Sequence, residues 1–354
     1  MATANDQSVG ANAGVYLRNA WYVAAISDTL GQALTPIRML GTSLVLYRTA
    51  AGAPVALEDA CPHRKLPLSM GRLADDCVEC GYHGLTFNAK GQCVAAPTQE
   101  RIPSSAVVRS FPAKDQYGLL WIWMGDTDLA DEGAILSIDT YDDPAWHTTG
   151  GDSLTVHCNY LYLTDNLLDP SHVAWVHRSS FAGEGTADVP LQIDESEDGL
   201  VVSRWIRNGE PPPFYKPLLK FTGNCDRLQH YEVRFPSIAI NTGVYCPAGR
   251  GGPDWAPDDE SYEMISFNFL TPVDEDTTLY FWLQHRNTDI DDDALTQEIA
   301  AGAKGAFEED KVVLEAVHKG IAASSTRPIN LGLDAAAVRF RKLLEERIAR
   351  ETDG

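Results

Sequence analysis

Four residues of two metal-binding types stand in two short groups in the first quarter of the chain. One residue separates Cys61 from His63, two residues separate Cys80 from His83, and sixteen residues lie between His63 and Cys80. Each group therefore offers one thiolate and one imidazole. Proline and glycine within and beside the groups favour tight turns. The pattern predicts two loops that present sulfur and nitrogen ligands to a common metal centre.

Mixed ligation of this kind is typical of a Rieske [2Fe–2S] centre, in which two histidines replace two cysteines at one iron and raise the reduction potential. A structural zinc site is one alternative, but it usually pairs cysteine with cysteine and histidine with histidine. A redox Cys-x-x-Cys formed by Cys77 and Cys80 is another. It would share Cys80 with the cluster motif, and it lacks a strand-to-helix context. A chance arrangement is the third alternative. The spacing favours the Rieske cluster.

A second group of candidate ligands follows about ninety residues later. His172 and His177 stand five residues apart in an apolar segment, with Asp165 and Asp169 upstream. Two histidines and one carboxylate form the facial triad of non-haem Fe(II) oxygenases, which leaves coordination positions open for O₂. In a regular helix the two histidines would lie about 140° apart. A break at Pro170 would have to bring them together, and otherwise both have ordinary structural roles.

The composition limits the classes of protein. The chain has 354 residues, 44% of them hydrophobic and 22% charged, which suits a soluble protein with two domains. No apolar run is long enough to span a membrane, and a net charge of −22 argues against nucleic acid and anionic lipid as partners. The small, polar N-terminus lacks the features of a signal peptide. Seven cysteines without framework spacing predict a cytoplasmic location.

The element pattern predicts an α+β fold with two domains. Short β-branched and aromatic runs near 20–26, 39–47, 55–58 and 119–123 indicate a small antiparallel β domain with the cluster loops at one end. The second domain is predicted to contain a helix from residue 160 that breaks near Pro170, a long helix over about 292–319, and a last helix capped by Asp334. Strands are predicted at 201–206, 230–235, 238–245, 264–270 and 278–285. The predicted boundaries are a disordered lead-in over 1–16, a cluster domain over 17–130, and a catalytic domain over 131–354.

Together the motifs resemble those of the Rieske non-haem iron oxygenases, α subunit. Asn166, Asp169, His172 and His177 match the family's N-x-x-D-x-x-H-x-x-x-x-H motif. The chain looks most similar to the vanillate and dicamba O-demethylase branch, over roughly residues 17–350. Segments 19–23, 165–167, 175–177 and 309–313 carry this closer likeness. The resemblance implies a Rieske β domain followed by a catalytic domain with a helix-covered antiparallel sheet of the helix-grip type.

The resemblance also implies roles for individual residues. The cluster ligands would be Cys61, His63, Cys80 and His83, and the iron ligands would be His172, His177 and an aspartate on the long C-terminal helix. Asp310 aligns with that aspartate and Glu309 is its neighbour to exclude, although an acidic run of this kind is otherwise read as a solvated helix face. Asp169 would bridge a cluster histidine of one subunit and an iron histidine of the next, which requires a cyclic homotrimer. Pro170, which follows it, departs from the family pattern without removing a ligand.

Two asparagines on predicted strands, Asn241 and Asn268, are candidate donors to a substrate carboxylate, and the alternative is that both satisfy local backbone. The implied protein is the terminal oxygenase of a system in which a separate flavin and iron–sulfur reductase, with or without a ferredoxin, delivers electrons from NADH. The implied reaction is O₂-dependent O-demethylation or related monooxygenation of a small aromatic acid. Ring hydroxylation or other ether or methyl oxidation is the alternative, and a Rieske electron carrier is a third possibility of another class.

Overall fold

The computed structural model describes residues 16–353, which form two compact units. One unit holds residues 16–137 together with Thr271–Asp274, and the other holds Ile138–Leu270 and residues 275–353. The predicted α+β class is confirmed. The predicted domain boundaries stay a prediction. Of the predicted lead-in only Tyr16 is described, and it is buried; the rest lies outside the described residues.

The N-terminal unit contains three small antiparallel sheets. Their strand orders are β1-β11-β10, β2-β3-β4-β9 and β5-β6-β7-β8. The strands are β1 (Trp21–Ile26), β2 (Thr35–Met39), β3 (Thr42–Arg48), β4 (Pro54–Glu58), β5 (Arg72–Ala74), β6 (Cys77–Glu79), β7 (Thr86–Phe87), β8 (Cys93–Ala95), β9 (Ser110–Phe111), β10 (Ala113–Gln116) and β11 (Leu119–Trp123). Short 3₁₀ turns lie at Ser27–Thr29, Leu68–Met70, Thr127–Leu129 and Glu132–Ala134.

The two cluster loops directly follow strands that pack in the core of this unit. Cys61 follows β4 and Cys80 follows β6, and both thiols are buried in one apolar cluster with Leu57, Val78 and Phe87. Burial of β-branched and aromatic side chains holds the short strands together despite their length. The two cysteines therefore have rigid backbones, which is what a metal centre needs from its ligands.

One predicted strand in this unit, at 39–47, has a wrong start. The run at 39–47 is two strands, because β2 ends at Met39 and β3 begins at Thr42. Leu40 and Gly41 both have positive φ, of 50° and 75°, and form the hairpin turn between them. Two-residue hairpins need this left-handed conformation. Leucine is not a turn-forming residue, so the apolar pattern concealed the turn.

The C-terminal unit is built on one seven-stranded sheet of order β12-β18-β17-β16-β15-β14-β13. The strands are β12 (His147–Val156), β13 (Gln192–Glu195), β14 (Gly199–Gly209), β15 (Cys225–Arg234), β16 (Ile238–Pro247), β17 (Tyr262–Pro272) and β18 (Thr278–Arg286). The five predicted strands of this domain are confirmed, each with longer bounds. Strands β12 and β13 were not predicted. The polar run with Gly150 and Gly151 in β12 gives no strand signal.

Within the described residues, four α-helices accompany this sheet: α1 (Tyr160–Leu168), α2 (Val173–Val176), α3 (Asp293–Ala323) and α4 (Ala335–Asp353). Helix α1 is capped by Asn159, whose side chain accepts from the Leu161 N–H, and it ends two residues before Pro170 as predicted. Helix α3, predicted over about 292–319, is capped by Asp292 and extends to Ala323. Asp334 was predicted to cap the last helix. It lies in the 3₁₀ turn Gly332–Asp334, and its carboxylate accepts from the Leu331 N–H at the start of that turn. No described helix is long and apolar enough to cross a membrane.

Candidate metal centres and substrate cavity

The two cluster loops share one backbone pattern. In each loop the cysteine N–H donates to the carbonyl five residues later, and the cysteine carbonyl accepts from the N–H four residues later. These bonds are Cys61–Leu66 at 2.9 Å, Lys65–Cys61 at 2.8 Å, Cys80–Leu85 at 2.8 Å and Gly84–Cys80 at 3.0 Å. Lys65 and Gly84, the fourth residue after each cysteine, both have positive φ. The two half-motifs thus fold as two copies of one tight loop.

These loops bring the four predicted cluster residues together. The imidazole rings of His63 and His83 are 4.6 Å apart between centroids. Burial raises the pKa of the Cys61 thiol, and the neighbouring Cys80 thiol raises it further. His83 Nδ1 is buried without a hydrogen-bond partner in the described residues. A buried nitrogen of this kind is costly unless something binds it, so two thiols and two imidazoles with an orphaned nitrogen fit a [2Fe–2S] cluster.

The second set of predicted ligands also converges. Nε2 of His177 lies 3.2 Å from Asp310 Oδ1, and Nε2 of His172 lies 3.5 Å from the same oxygen. The candidate ligand atoms of the three residues all lie within 4.8 Å of one another. Helix α2 is only four residues long, with one histidine immediately before it and the other immediately after it. Since neither histidine is inside a long helix, the angular separation of a regular helix does not apply.

Hydrogen bonds at the opposite ring nitrogens orient both imidazoles. His177 Nδ1 lies 2.7 Å from Glu309 Oε2, and His172 Nδ1 lies 2.5 Å from the Asp169 carbonyl. Such contacts fix the tautomer of a metal-binding histidine and leave Nε2 for the metal. Burial opposes a charge on His177, but hydrogen bonds and charge from Asp310 and Glu309 raise its pKa above the ordinary value. The donor set of two nitrogens and one carboxylate fits Fe(II).

The other two residues of the predicted motif support this turn. The Asp169 carboxylate accepts from the backbone N–H groups of Ser171 at 2.7 Å and His172 at 3.2 Å. Asn166 Nδ2 donates to Asp310 Oδ1 at 3.3 Å, and its own Oδ1 is buried without a partner in the described residues. Both side chains therefore contact the candidate ligands themselves. The inter-subunit role of Asp169 stays a prediction.

A cavity opens beside these ligands in the same unit. Its wall combines the candidate iron ligands with aromatic and aliphatic side chains from the helices and the sheet. The residues that line it are Leu167, His172, Val173, His177, Phe181, Phe214, Tyr215, Gln229, Tyr231, Asn241, Gly243, Tyr245, Met264, Ser266, Gln284, Ala303, Ala306, Phe307 and Asp310. A largely apolar wall with a few polar groups is typical of a site for a small organic molecule.

The two candidate substrate asparagines differ in position. Asn241 lines the cavity, and its Nδ2 donates to the Leu167 carbonyl at 2.8 Å, which leaves a second N–H. Asn268 is fully buried and is absent from the cavity wall. Its amide bonds to Asn241, Ser266, Tyr280 and the Ala239 carbonyl. Asn268 is therefore a structural amide behind Asn241, and direct contact with a substrate is not supported.

Several cavity residues were not predicted from the sequence. Phe181 comes from the irregular segment between α2 and β13, and Phe214 and Tyr215 come from the segment between β14 and β15. In such segments aromatic residues carry no period that reveals a shared wall. Gln229 on β15 and Gln284 on β18 are buried polar residues. A buried amide in a strand is a usable signal of a site, but it does not distinguish a cavity wall from a structural network.

Four histidines were left unassigned in the sequence: His157, His230, His285 and His318. His285 is fully buried, contacts Thr140 Oγ1 at 2.7 Å, and has its pKa lowered to about 4 by burial. His318 contacts Asp276 on the protein surface. None of the four lines the cavity described above.

Residues 20–112 match the family described as "Rieske [2Fe-2S] domain", and residues 156–350 match "Vanillate O-demethylase oxygenase C-terminal domain". The second match alone covers more than half of the chain. This chain belongs to the Rieske oxygenases of the vanillate O-demethylase type. An electron carrier is therefore excluded, because the second matched domain is that of an oxygenase subunit. The predicted family, the Rieske [2Fe–2S] domain and the assignment as a monooxygenase component are confirmed.

The similarity to known Rieske oxygenases extends over nearly the whole chain. The toluene-4-sulfonate monooxygenase system iron-sulfur subunit of Comamonas testosteroni is 36% identical, over 96% of this chain and 99% of that protein. The vanillate O-demethylase oxygenase subunit of a Pseudomonas strain is 33% identical, over 96% and 97%. A crystal structure of dicamba monooxygenase bound to 3,6-dichlorosalicylic acid has a TM-score of 0.86 at 34% identity, over 96% and 99%. Another structure of dicamba monooxygenase contains non-heme iron and dicamba.

Proposed function

We propose that this oxygenase component acts on a substituted aromatic acid, by O-demethylation or a related monooxygenation. The observation that carries the proposal is the position of His172, His177 and Asp310 in the wall of an aromatic-lined cavity. Relatives that act on, or are crystallised with, aromatic acids support the substrate class. We further propose that electrons come from NADH through a separate flavin and iron–sulfur reductase, with or without a ferredoxin.

In this proposal Cys61, His63, Cys80 and His83 hold the [2Fe–2S] cluster, and His172, His177 and Asp310 hold a mononuclear iron. When bound, the cluster supplies single electrons and the Fe(II) activates O₂. The residues of the chain supply geometry. Glu309 and the Asp169 carbonyl hold the two imidazoles with Nε2 toward Asp310.

The cavity wall positions the substrate and keeps water out. Phe181 and Phe214 pack with ring centroids 4.4 Å apart, and Phe307 packs against Tyr280 and Trp282. These rings offer flat apolar surfaces that suit an aromatic ring. The spare N–H of Asn241 provides one donor from the sheet side. Exclusion of water protects a reactive site from side reactions.

For a methoxylated substrate the balance is simple. The methoxy carbon gains one oxygen atom of O₂, and the other atom leaves as water with two electrons and two protons. The resulting hemiacetal then breaks the bond between the hydroxylated carbon and the oxygen attached to the aromatic ring, which gives a phenol and formaldehyde. Formaldehyde therefore reports this reaction directly.

A second reaction deserves the same test, because one relative is named for toluene-4-sulfonate. That compound has a methyl group and no methoxy group. Oxygenation of such a substrate gives an alcohol or a ring-hydroxylated acid, without formaldehyde. We therefore keep methyl or ring hydroxylation as the second candidate.

The experiment is a single turnover of chemically reduced, iron-loaded protein with O₂ and a panel of methoxylated and methylated benzoates and benzenesulfonates. Chemical reduction removes the need for the reductase. A phenol with an equal amount of formaldehyde supports demethylation, and a hydroxylated acid without formaldehyde supports the second candidate. Failure of the metal-replete protein to convert any compound would overturn the substrate class.

We also propose that the protein works as a cyclic homotrimer in the cytoplasm, with Asp169 hydrogen-bonded to a cluster histidine of one subunit and to an iron histidine of the next. The Asp169 carboxylate is half-buried and accepts a hydrogen bond from the backbone N–H of His172 in its own chain. This position beside a candidate iron ligand supports the proposed role. Asp169→Asn should keep both metals and nearly stop electron transfer between them. Normal turnover of this variant, or a monomer in sedimentation analysis, would contradict the bridge.

A further inference from the structure

Two buried arginines lie in the sheet beside the cavity without a carboxylate partner. Arg204 on β14 is 6% exposed and Arg227 on β15 is 2% exposed. Within residues 16–353 neither forms an ion pair. Asp226, next to Arg227 in sequence, turns its carboxylate to the N–H groups of Asn208, Gly249 and Gly251. The Asp169 carboxylate acts on Arg204 through its charge but forms no ion pair with it, and a buried cation without an ion pair is costly, so the region favours an anion.

Uncharged oxygens of one segment hold both guanidinium groups in place. Arg204 donates to the Thr186 carbonyl at 2.6 Å and the Val189 carbonyl at 2.8 Å. Arg227 donates to Thr186 Oγ1 at 2.6 Å and the Glu184 carbonyl at 2.8 Å. These contacts orient the two cations but do not neutralise them. Their positive field therefore persists at the cavity wall.

Gln229 connects Arg204 to the cavity, because it contacts Arg204 and also lines the cavity. The two residues face each other across β14 and β15, and Arg204 Nε donates to Gln229 Oε1 at 2.8 Å. Because the amide oxygen accepts from the cation, the Gln229 NH₂ group remains as a donor. Tyr231, two residues further along β15, adds a phenolic O–H that can donate. Gln229 and Tyr231 both line the cavity.

The geometry of the strands leaves room for a ligand at this point. Residues 227, 229 and 231 share one face of β15, because side chains alternate along a strand. The residue opposite Gln229 on β16 is Gly243, which lines the cavity and has no side chain to cover the amide. The residue opposite Arg227 is Tyr245, another cavity residue. The donors are thus accessible, while the guanidinium groups lie beside them on the same face of the sheet and do not line the cavity.

We propose that Gln229 and Tyr231, backed by Arg204 and Arg227, form an anion subsite that selects aromatic substrates carrying a carboxylate or sulfonate. The inference rests on the proposed function of the cavity as the substrate site. Of the cavity residues only Asp310 is acidic and none is lysine or arginine. The anion therefore contacts neutral donors, and the positive charges of Arg204 and Arg227 attract it from outside the cavity wall. Holding the anion on the sheet wall directs the rest of the ring toward the helix wall with the candidate iron ligands.

The test measures ligand binding without turnover. Metal-loaded protein is titrated without O₂ by calorimetry with 4-methoxybenzoate and toluene-4-sulfonate, and with the neutral 4-methoxybenzamide and toluene-4-sulfonamide. We expect the wild-type protein to bind the anions about thirtyfold or more tighter than the amides. Comparing the two anions shows whether the subsite takes carboxylate, sulfonate or both. Equal affinity for anions and amides would overturn the proposal.

The decisive variant is Gln229→Glu. Glutamate has the shape of glutamine, and its carboxylate can accept from Arg204 Nε in the same place, so the variant should fold. It would neutralise Arg204 and remove the donor, and we expect the anion preference to disappear while amide affinity changes by less than about threefold. Anion affinity equal to that of the wild type would overturn the proposal.

A second variant and a control complete the design. Tyr231→Phe removes one hydroxyl, and we expect about tenfold weaker anion binding. Arg286→Met is the matched control, because Arg286 is also a buried arginine without an ion pair in the described residues, and it does not line the cavity. Its anion preference should match that of the wild type. Loss of preference in this control would show a general effect of buried arginines and refute the assigned subsite.

The binding assay tests the anion subsite and the product assay tests the proposed reaction, so each proposal can be overturned independently of the other. Anion preference without any product would overturn the proposed reaction and leave the subsite standing. Turnover of aromatic acids by a protein with no anion preference would overturn the subsite and leave the reaction standing.

Discussion

The assignment of Asp310, rather than Glu309, as the third iron ligand is the prediction that most directly tests the site. Asp310 is 5% exposed in its side chain, and one of its oxygens lies 3.2 Å and 3.5 Å from the two histidine Nε2 atoms. Glu309 is on the other side of His177, with an oxygen 2.7 Å from Nδ1 and a side chain 47% exposed. One carboxylate is therefore placed to bind the metal, and the other is placed to orient a ligand.

The two positions should respond differently to loss of charge. Asp310→Asn removes the anionic ligand, and iron content should fall from about three to about two atoms per chain, as the cluster and triad stoichiometries require. Glu309→Gln should weaken iron binding by about tenfold, at the lower end of the range for a partner of a metal-bound histidine. The lower end applies because Glu309 is half-exposed and the glutamine oxygen can still accept from Nδ1–H.

The assay combines total iron with the visible spectrum of the Rieske cluster, before and after dialysis against graded chelator. The cluster absorbance is an internal standard, since both variants should retain it. Glu308→Gln, one residue earlier on α3, is the matched control and should bind iron like the wild type. Loss of the mononuclear iron in Glu309→Gln together with its retention in Asp310→Asn would show that the ligand assignment is one residue off. Retention in both variants would refute the triad.

Three further variants test other parts of the structure. The pKa of buried His285 is lowered to about 4, so its neutral form stabilises the fold fully above pH 6.5 and this stability is lost as pH falls toward 4. His285→Gln should therefore lessen the loss of unfolding free energy between pH 7 and pH 5 by about 2 kcal/mol, measured by urea unfolding, and an unchanged loss would contradict the assignment. A Cβ at Gly302 would lie 2.3 Å from the ring of Phe214, so Gly302→Ala should shift that ring and weaken substrate binding by about threefold to tenfold at unchanged iron content. Arg48 holds the pKa of Asp115 below its usual range by hydrogen bonding, so Asp115→Asn should cost about 1 kcal/mol at pH 7 in urea unfolding, a difference that should vanish as pH falls below about 4.

The metal-binding motifs could be predicted because most of their geometry is local. Each half of the cluster motif lies within one loop, and the turn that carries His172 and His177 is set by a break at Pro170. Short loops of this kind have few conformations that place both ligands on one side. Composition and apolar periodicity were likewise enough for the α+β class, because strands and helices bury different periodic patterns.

The third ligand could not be obtained from spacing. Asp310 is separated by more than 130 residues from the histidines it joins, and its neighbour Glu309 has the same chemistry. Only the family resemblance singled it out. The structure separates the two carboxylates because neighbouring residues on a helix point in directions about 100° apart, so one faces the buried site and the other faces the edge of His177.

The cavity shows most clearly what tertiary structure alone decides. Asn241 and Asn268 have the same side chain and lie on neighbouring strands, yet one lines the cavity and the other is fully enclosed. The contact between Arg204 and Gln229 depends on the register of β14 and β15, which a one-residue slip would abolish. The sequence by itself determined which metals the chain is built to hold. Which side chains meet the substrate was decided by strand register and packing, because these join residues whose separation along the chain carries no information about their distance in space.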